Sequence, residues 1–136
     1  MNILTGHVIN SITDHTITLV TISVHNTPLE VLLLEDGDTS LFTKMDTKVN
    51  LLFKENEILL TTSPVSVTTR NILPCTIITI HQGIILSTLN LMFYDTHLKA
   101  IIPTQSLLDL QLNPHDAIFA IIKSTDISLQ EVYHGN

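Results

Sequence analysis

The amino-acid sequence predicts an all-β protein made of two tandem copies of one small five-stranded barrel, each with one short helix. Three features predict it: aliphatic rather than aromatic apolar content, short runs in which apolar and polar residues alternate, and a repeat at one fixed, ungapped shift. Of the 136 residues, 44% are hydrophobic but only 4% aromatic. The apolar content is therefore Ile, Leu and Val, which in short runs mixed with Thr favour strands over helices. No apolar run approaches the roughly 18 residues of a membrane span. Met1-Asn2-Ile3-Leu4 carries neither a basic segment nor a long apolar stretch, so no signal peptide is expected and the expected compartment is cytoplasmic.

The repeat is read from both ends. Asn2-Ile3-Leu4 recurs as Asn71-Ile72-Leu73, a shift of 71 − 2 = 69 residues, and Lys54 recurs as Lys123, again 123 − 54 = 69. Between them Val20 pairs with Leu89, Ile22 with Leu91, Val24 with Phe93, Leu29 with Leu98 and Val49 with Ile118. The period is too long for a solenoid unit, so it marks a duplicated domain. The expected division is residues 1–61 for the first module, 62–69 for a linker rich in Ser and Thr, and 70–136 for the second. A module of about 65 residues buries little core alone and gains by packing on its twin.

The elements follow in order. Val20, Ile22 and Val24 alternate with Thr21 and Ser23, and Leu89, Leu91 and Phe93 with Asn90 and Met92, as in half-buried strands. The polar stretches His25-Asn26-Thr27-Pro28 and Tyr94-Asp95-Thr96-His97 read as hairpin turns. Leu29 to Leu34 and Leu98 to Ile102 are nearly continuous apolar runs and read as central strands. Leu107, Leu108 and Leu110 suit one helical turn, with Pro103 at its start. Asn113-Pro114-His115-Asp116 is a turn, Ile118 to Lys123 a strand, and Asp126 to Leu129 a last short strand. Five strands and a short helix per module outline an OB-like barrel.

Net charge is −7 with six Lys and Arg, which argues against nucleic-acid binding by this chain. A small anion is a different matter, because a few N–H groups and one or two cations hold it locally. Cys75 lies in an apolar strand and reads as a small buried hydrophobe. The seven histidines show no metal-ligand spacing, Asp36-Gly37-Asp38 looks like a turn, and no phosphate loop or nucleophile motif occurs, so no enzyme and no metal site is expected.

The second copy opens with Ser66-Val67-Thr68-Thr69-Arg70-Asn71-Ile72-Leu73, has Pro103-Thr104-Gln105-Ser106 before the Leu-rich helix, and closes with Ile121-Ile122-Lys123-Ser124. In order and spacing this resembles the tandem Mop (molbindin, TOBE-like) family over nearly the whole chain. The resemblance implies binding of molybdate or tungstate as an oxyanion, often at subunit interfaces, by a homo-oligomer, most simply a dimer. Carried over by position, Thr68 stands for the signature Ser and Thr69 for the signature Ala, while Arg70, Asn71, Ser106, Lys123 and Ser124 match as they stand. Lys54 is the first copy's counterpart of Lys123. The departures are Pro103 for a family Thr, Cys75 for a typical Gly and, in the first copy, the missing residues before Asn2, Gly37 for Ser106 and Glu55 for Ser124. The roles implied are intracellular storage, carriage or sensing. The alternative is a ligand-free structural β module that mediates protein–protein contact within a larger regulator or transporter.

Chemistry supports the carry-over independently. A tetrahedral oxyanion needs donors converging from several directions, and Thr68, Ser106 and Ser124 offer hydroxyls while Arg70 and Lys123 offer charge. A site of this kind is expected to hold donors only. Taken alone, Arg70 reads first as a surface residue paired with an acid, Lys54 and Lys123 as ordinary solvated strand ends, and Ser106 as a helix cap or start.

Overall fold

The computed structural model describes residues 1–34 and 40–132. Gly37, the expected Asp36-Gly37-Asp38 turn and His134 lie outside the described residues. Among the described residues ten strands form two five-stranded sheets. The first copy supplies β1 (Asn2–Asp14), β2 (Ile17–Val24), β3 (Thr27–Leu34), helix α1 (Ser40–Thr43), β4 (Lys48–Phe53) and β5 (Leu59–Thr61). The second supplies β6 (Ile72–Gln82), β7 (Leu86–Phe93), β8 (Thr96–Pro103), helix α2 (Thr104–Asp109), β9 (Ala117–Ile121) and β10 (Ser128–Glu131). The 69-residue shift holds for the starts of paired strands: 86 − 17, 96 − 27, 117 − 48 and 128 − 59 all give 69. Even the irregularity between Val8 and Asn10 in β1 recurs between Ile77 and Thr79 in β6.

The alternation read from the sequence is realised in β2 and β7. Val20, Ile22 and Val24 are buried on one face, and so are Leu89, Leu91 and Phe93. Each such side chain contributes roughly 1.5–3 kcal/mol by leaving water. The buried aliphatic residues of both copies join in one cluster, with Phe53 and Phe93 its only aromatic members among the described residues. Cys75 is part of that cluster, and burial pushes its thiol up to about 12. The hairpin turns are tighter than the sequence suggests. His25 and Asn26 alone turn the chain, both at positive φ (50° and 61°), and Thr27 and Pro28 already belong to β3. Positive φ at both central residues suits the right-handed twist of the flanking strands. The helix forms where expected, with Pro103 one residue ahead of it rather than inside. The last strand begins at Ser128, two residues later than its sequence suggests.

The strand order is β10-β4-β1-β2-β3 in one sheet and β5-β9-β6-β7-β8 in the other. The copies therefore exchange their final strands. Ser128 to Glu131 of the second copy pair with Leu52 to Val49 of the first. Leu59 to Thr61 of the first pair with Ile121 to Phe119 of the second. The sequence modules 1–61 and 70–136 thus do not coincide with the sheets they build. The apolar runs at Leu29 to Leu34 and Leu98 to Ile102, expected as central strands, are the sheet edges β3 and β8. Each buries mainly one face, with Leu29 and Val31 in β3 and Leu98, Ala100 and Ile102 in β8, while Leu34 is exposed. The hairpin tips of the two copies also meet. The His25 ring stacks on Tyr94 at 4.9 Å, and its Nε2 lies 2.9 Å from Asp95 Oδ1.

Candidate functional site

Asn71, the shared residue of the repeated triplet, is fully buried. Its side-chain amide spans the edge of the first copy's β3. The Glu30 backbone N–H donates to Asn71 Oδ1 at 2.7 Å, and Asn71 Nδ2 donates to the Glu30 carbonyl at 2.8 Å. Asn2 treats β8 identically. The Lys99 N–H donates to Asn2 Oδ1 at 2.8 Å, and Asn2 Nδ2 donates to the Lys99 carbonyl at 2.9 Å. Each amide stands in for one more residue of sheet, satisfying an edge donor and acceptor that burial would otherwise strand. Asn71 was a candidate ligand residue; its amide oxygen and one amide N–H are engaged by the Glu30 backbone.

The clamp places two segments of the second copy against the first copy's edge. Val67, Thr68, Thr69, Arg70 and Ser124 line an open cleft of about 290 Å³ together with Glu30. The Thr69 hydroxyl donates to the Ile122 carbonyl at 2.9 Å and accepts from the Asn71 N–H at 3.1 Å, which ties the segment down. The Leu32 N–H donates to the Ser124 carbonyl at 3.0 Å, which fixes the other wall. Arg70 Nε lies 2.9 Å from Glu30 Oε1. This pair uses one edge of the guanidinium. Among the described residues Arg70 forms no other ion pair, and its side chain is 76% exposed. The cleft thus combines a forked cation with the hydroxyls of Thr68 and Ser124, which suits a small oxyanion.

A second cleft of about 290 Å³ occupies the corresponding place in the first copy, lined by Met1, Asn2, Glu55, Asn90, His97, Leu98 and Lys99. Position for position, Met1 replaces Arg70, Glu55 replaces Ser124 and Lys99 replaces Glu30. The Met1 ammonium pairs with the Glu55 carboxylate, and that hydrogen bond is the main reason the Glu55 carboxyl sits below its usual range.

Of the sequence candidates, Thr68, Thr69, Arg70 and Ser124 come together with Asn71 behind them. Ser106 does not line that cleft. It sits in α2, directly after β8, the strand clamped by Asn2 of the first copy. Lys123 is exposed and does not line the cleft either, and Lys54 lines a separate groove with Glu57 and Asp126. The residue that sequence reasoning missed is Glu30. It makes the cleft something other than a donor-only site, and it is the acid for which Arg70 was open to reading as a plain surface partner. The signal was present: a single charge inside the apolar run Leu29-Glu30-Val31-Leu32, with Lys99 at the matching place in the other copy.

Two curled sheets that exchange their last strands, with a polar cleft where one copy clamps the other's edge, define a duplicated OB-like module with a ligand-sized cleft between copies. Residues 68–129 match the model of the TOBE domain family. Over 96% of both chains, the fold superposes with a TM-score of 0.88 and 24% identity on a crystal structure of the cytoplasmic molybdate-binding protein ModG with molybdate bound. No curated protein matches the chain. Among the described residues no helix is long and apolar enough to cross a membrane, which says nothing of β-barrel spans.

Proposed function

We propose that this protein binds molybdate or tungstate as an intact oxyanion, without catalysing a reaction, and serves cytoplasmic storage, carriage or sensing of the ion. The observation that carries this reading is the Arg70 cleft. It presents the exposed Arg70 guanidinium with Thr68 and Ser124, in a fold superposable over 96% of its length on a molybdate-binding protein. Molybdate and tungstate have longer metal–oxygen bonds than the sulfur–oxygen bonds of sulfate. A cleft shaped for them leaves sulfate with slack hydrogen bonds. Isothermal titration with molybdate, tungstate and sulfate is the test. Heat from the first two well ahead of sulfate supports the reading. Equal affinity for sulfate, or no heat from any of the three, contradicts it, the last outcome favouring a purely structural module.

The protein is further proposed to assemble as a homo-oligomer, most simply a dimer. The family resemblance implies a ligand held at subunit interfaces. The two copies of one chain supply both walls of the Arg70 cleft, so those walls need no second subunit. What supports assembly is the apolar tip of the second copy, where Ile84, Ile85 and Leu86 are 97%, 78% and 56% exposed. Sedimentation of the protein with and without molybdate checks it. A monomer at saturation with undiminished affinity would exclude a ligand shared between subunits.

A further inference from the structure

The geometry points to Glu30 as the residue that decides which ionisation state of an oxyanion the Arg70 cleft accepts. The inference rests on reading that cleft as the oxyanion site. Glu30 lines the cleft beside Thr68, Thr69, Arg70 and Ser124, so an ion seated there meets its carboxylate. The side chain is set into the wall, 17% exposed, whereas Arg70 is 76% exposed over the opening. Glu30 is also held from two sides. Its backbone is clamped by the Asn71 amide at 2.7 and 2.8 Å, and its carboxylate is held by Arg70 Nε at 2.9 Å. Moving the carboxylate aside breaks the ion pair, and moving the strand breaks the clamp.

An ionised carboxylate only accepts hydrogen bonds. Molybdate, tungstate and sulfate are fully deprotonated dianions at neutral pH and are likewise acceptors only. Beside Glu30 they meet a like charge and gain no hydrogen bond from it. Hydrogen phosphate carries an O–H. It donates that proton to Glu30, which turns a repulsive contact into a charge-assisted hydrogen bond. Glu30 therefore penalises the aprotic dianions relative to the protonated one. The corresponding residue of the other copy is Lys99 (99 − 30 = 69), clamped by Asn2 in the same way. The fold presents this position to both clefts, and the sequence places charges of opposite sign there. The filter belongs to the Arg70 cleft alone.

The test is calorimetric titration of the full chain and of Glu30→Gln with sodium molybdate and with inorganic phosphate at neutral pH. Glutamine keeps a carbonyl acceptor for Arg70 Nε–H and removes the charge. Molybdate should bind the variant about tenfold more tightly, the size expected for one partly screened like-charge contact. Phosphate should be unchanged or weaker, so the ratio of the two affinities moves by at least that factor. A thermal melt of the variant close to that of the parent confirms that the fold is retained. If the parent binds molybdate and the variant binds it no more tightly, or if both ions shift together, the inference about Glu30 is wrong while the binding site stands. If neither protein binds either ion, the oxyanion reading itself is wrong.

Discussion

The two copies share a skeleton and differ in what they place around it. Four of the five paired strands start at the same repeat position, the irregularity in the first strand recurs, and each copy has an Asn that clamps the other's edge strand. Around the second copy's clamp stand Arg70, Ser124 and, across the cleft, Glu30. Around the first copy's clamp stand Met1, Glu55 and Lys99. The architecture of the clefts therefore depends on the Asn and the exchanged strands, and the chemistry on three positions beside them. In the Arg70 cleft a forked cation and a hydroxyl face the opening, with one acid in the wall. In the other cleft the acid, Glu55, stands where the second copy has the hydroxyl of Ser124.

The comparison breaks most visibly if the copies are separated. A chain of residues 62–136 lacks β5, which leaves the edge of β9 and the Asn71 amide without partners. It should therefore be unfolded as a monomer, or pair with a second copy that supplies the missing strand and edge. Sedimentation distinguishes these from a folded monomer, which would contradict the role given to the exchange. Next in size is Asn71→Ala. It leaves the part-buried N–H and C=O of Glu30 without partners and should destabilise the protein by about 2–4 kcal/mol in a denaturant titration. Asn2→Ala should cost a comparable amount if the two clamps are equivalent, and a loss in one copy only would show that they are not. Arg70→Ala should leave stability nearly unchanged and weaken molybdate binding by about 1.5–3 kcal/mol in calorimetry, as for a hydrogen bond to a charged group. The smallest effects belong to Lys54→Ala and Lys123→Ala. Neither side chain lines the Arg70 cleft, so each should change affinity by less than about 1 kcal/mol. A large loss from Lys123→Ala alone would return that lysine to the site.

Much of this was legible in the sequence. The fixed shift exposed the duplication, and alternation exposed β2 and β7, because a strand with one buried face writes that face into every second residue. The exchange of β5 and β10 was not legible. The two strands occupy the same repeat position, so either sheet is completed equally well by either one, and the pattern of apolar residues carries no information on which copy it joins. The same blindness misled the reading of β3 and β8. Their continuous apolar runs suggested burial on both faces, whereas each strand buries every second residue and stands at a sheet edge. It also scattered the candidate site. Arg70, Thr68, Thr69 and Ser124 converge because both of their segments meet the edge of β3. Ser106 follows β8, whose edge receives the first copy's Asn2 instead. Glu30 went unread because, in a strand taken as central, a lone charge has no evident partner.

The central claim is that the oxyanion sits in the cleft between Glu30 and the Arg70 segment. Anomalous diffraction at the molybdenum edge, from crystals grown with molybdate, tests it most directly. The expected result is a peak within hydrogen-bond reach of the terminal Arg70 nitrogens and the Ser124 hydroxyl. A peak confined to the Met1–Lys99 cleft, or placed away from both, would contradict the account.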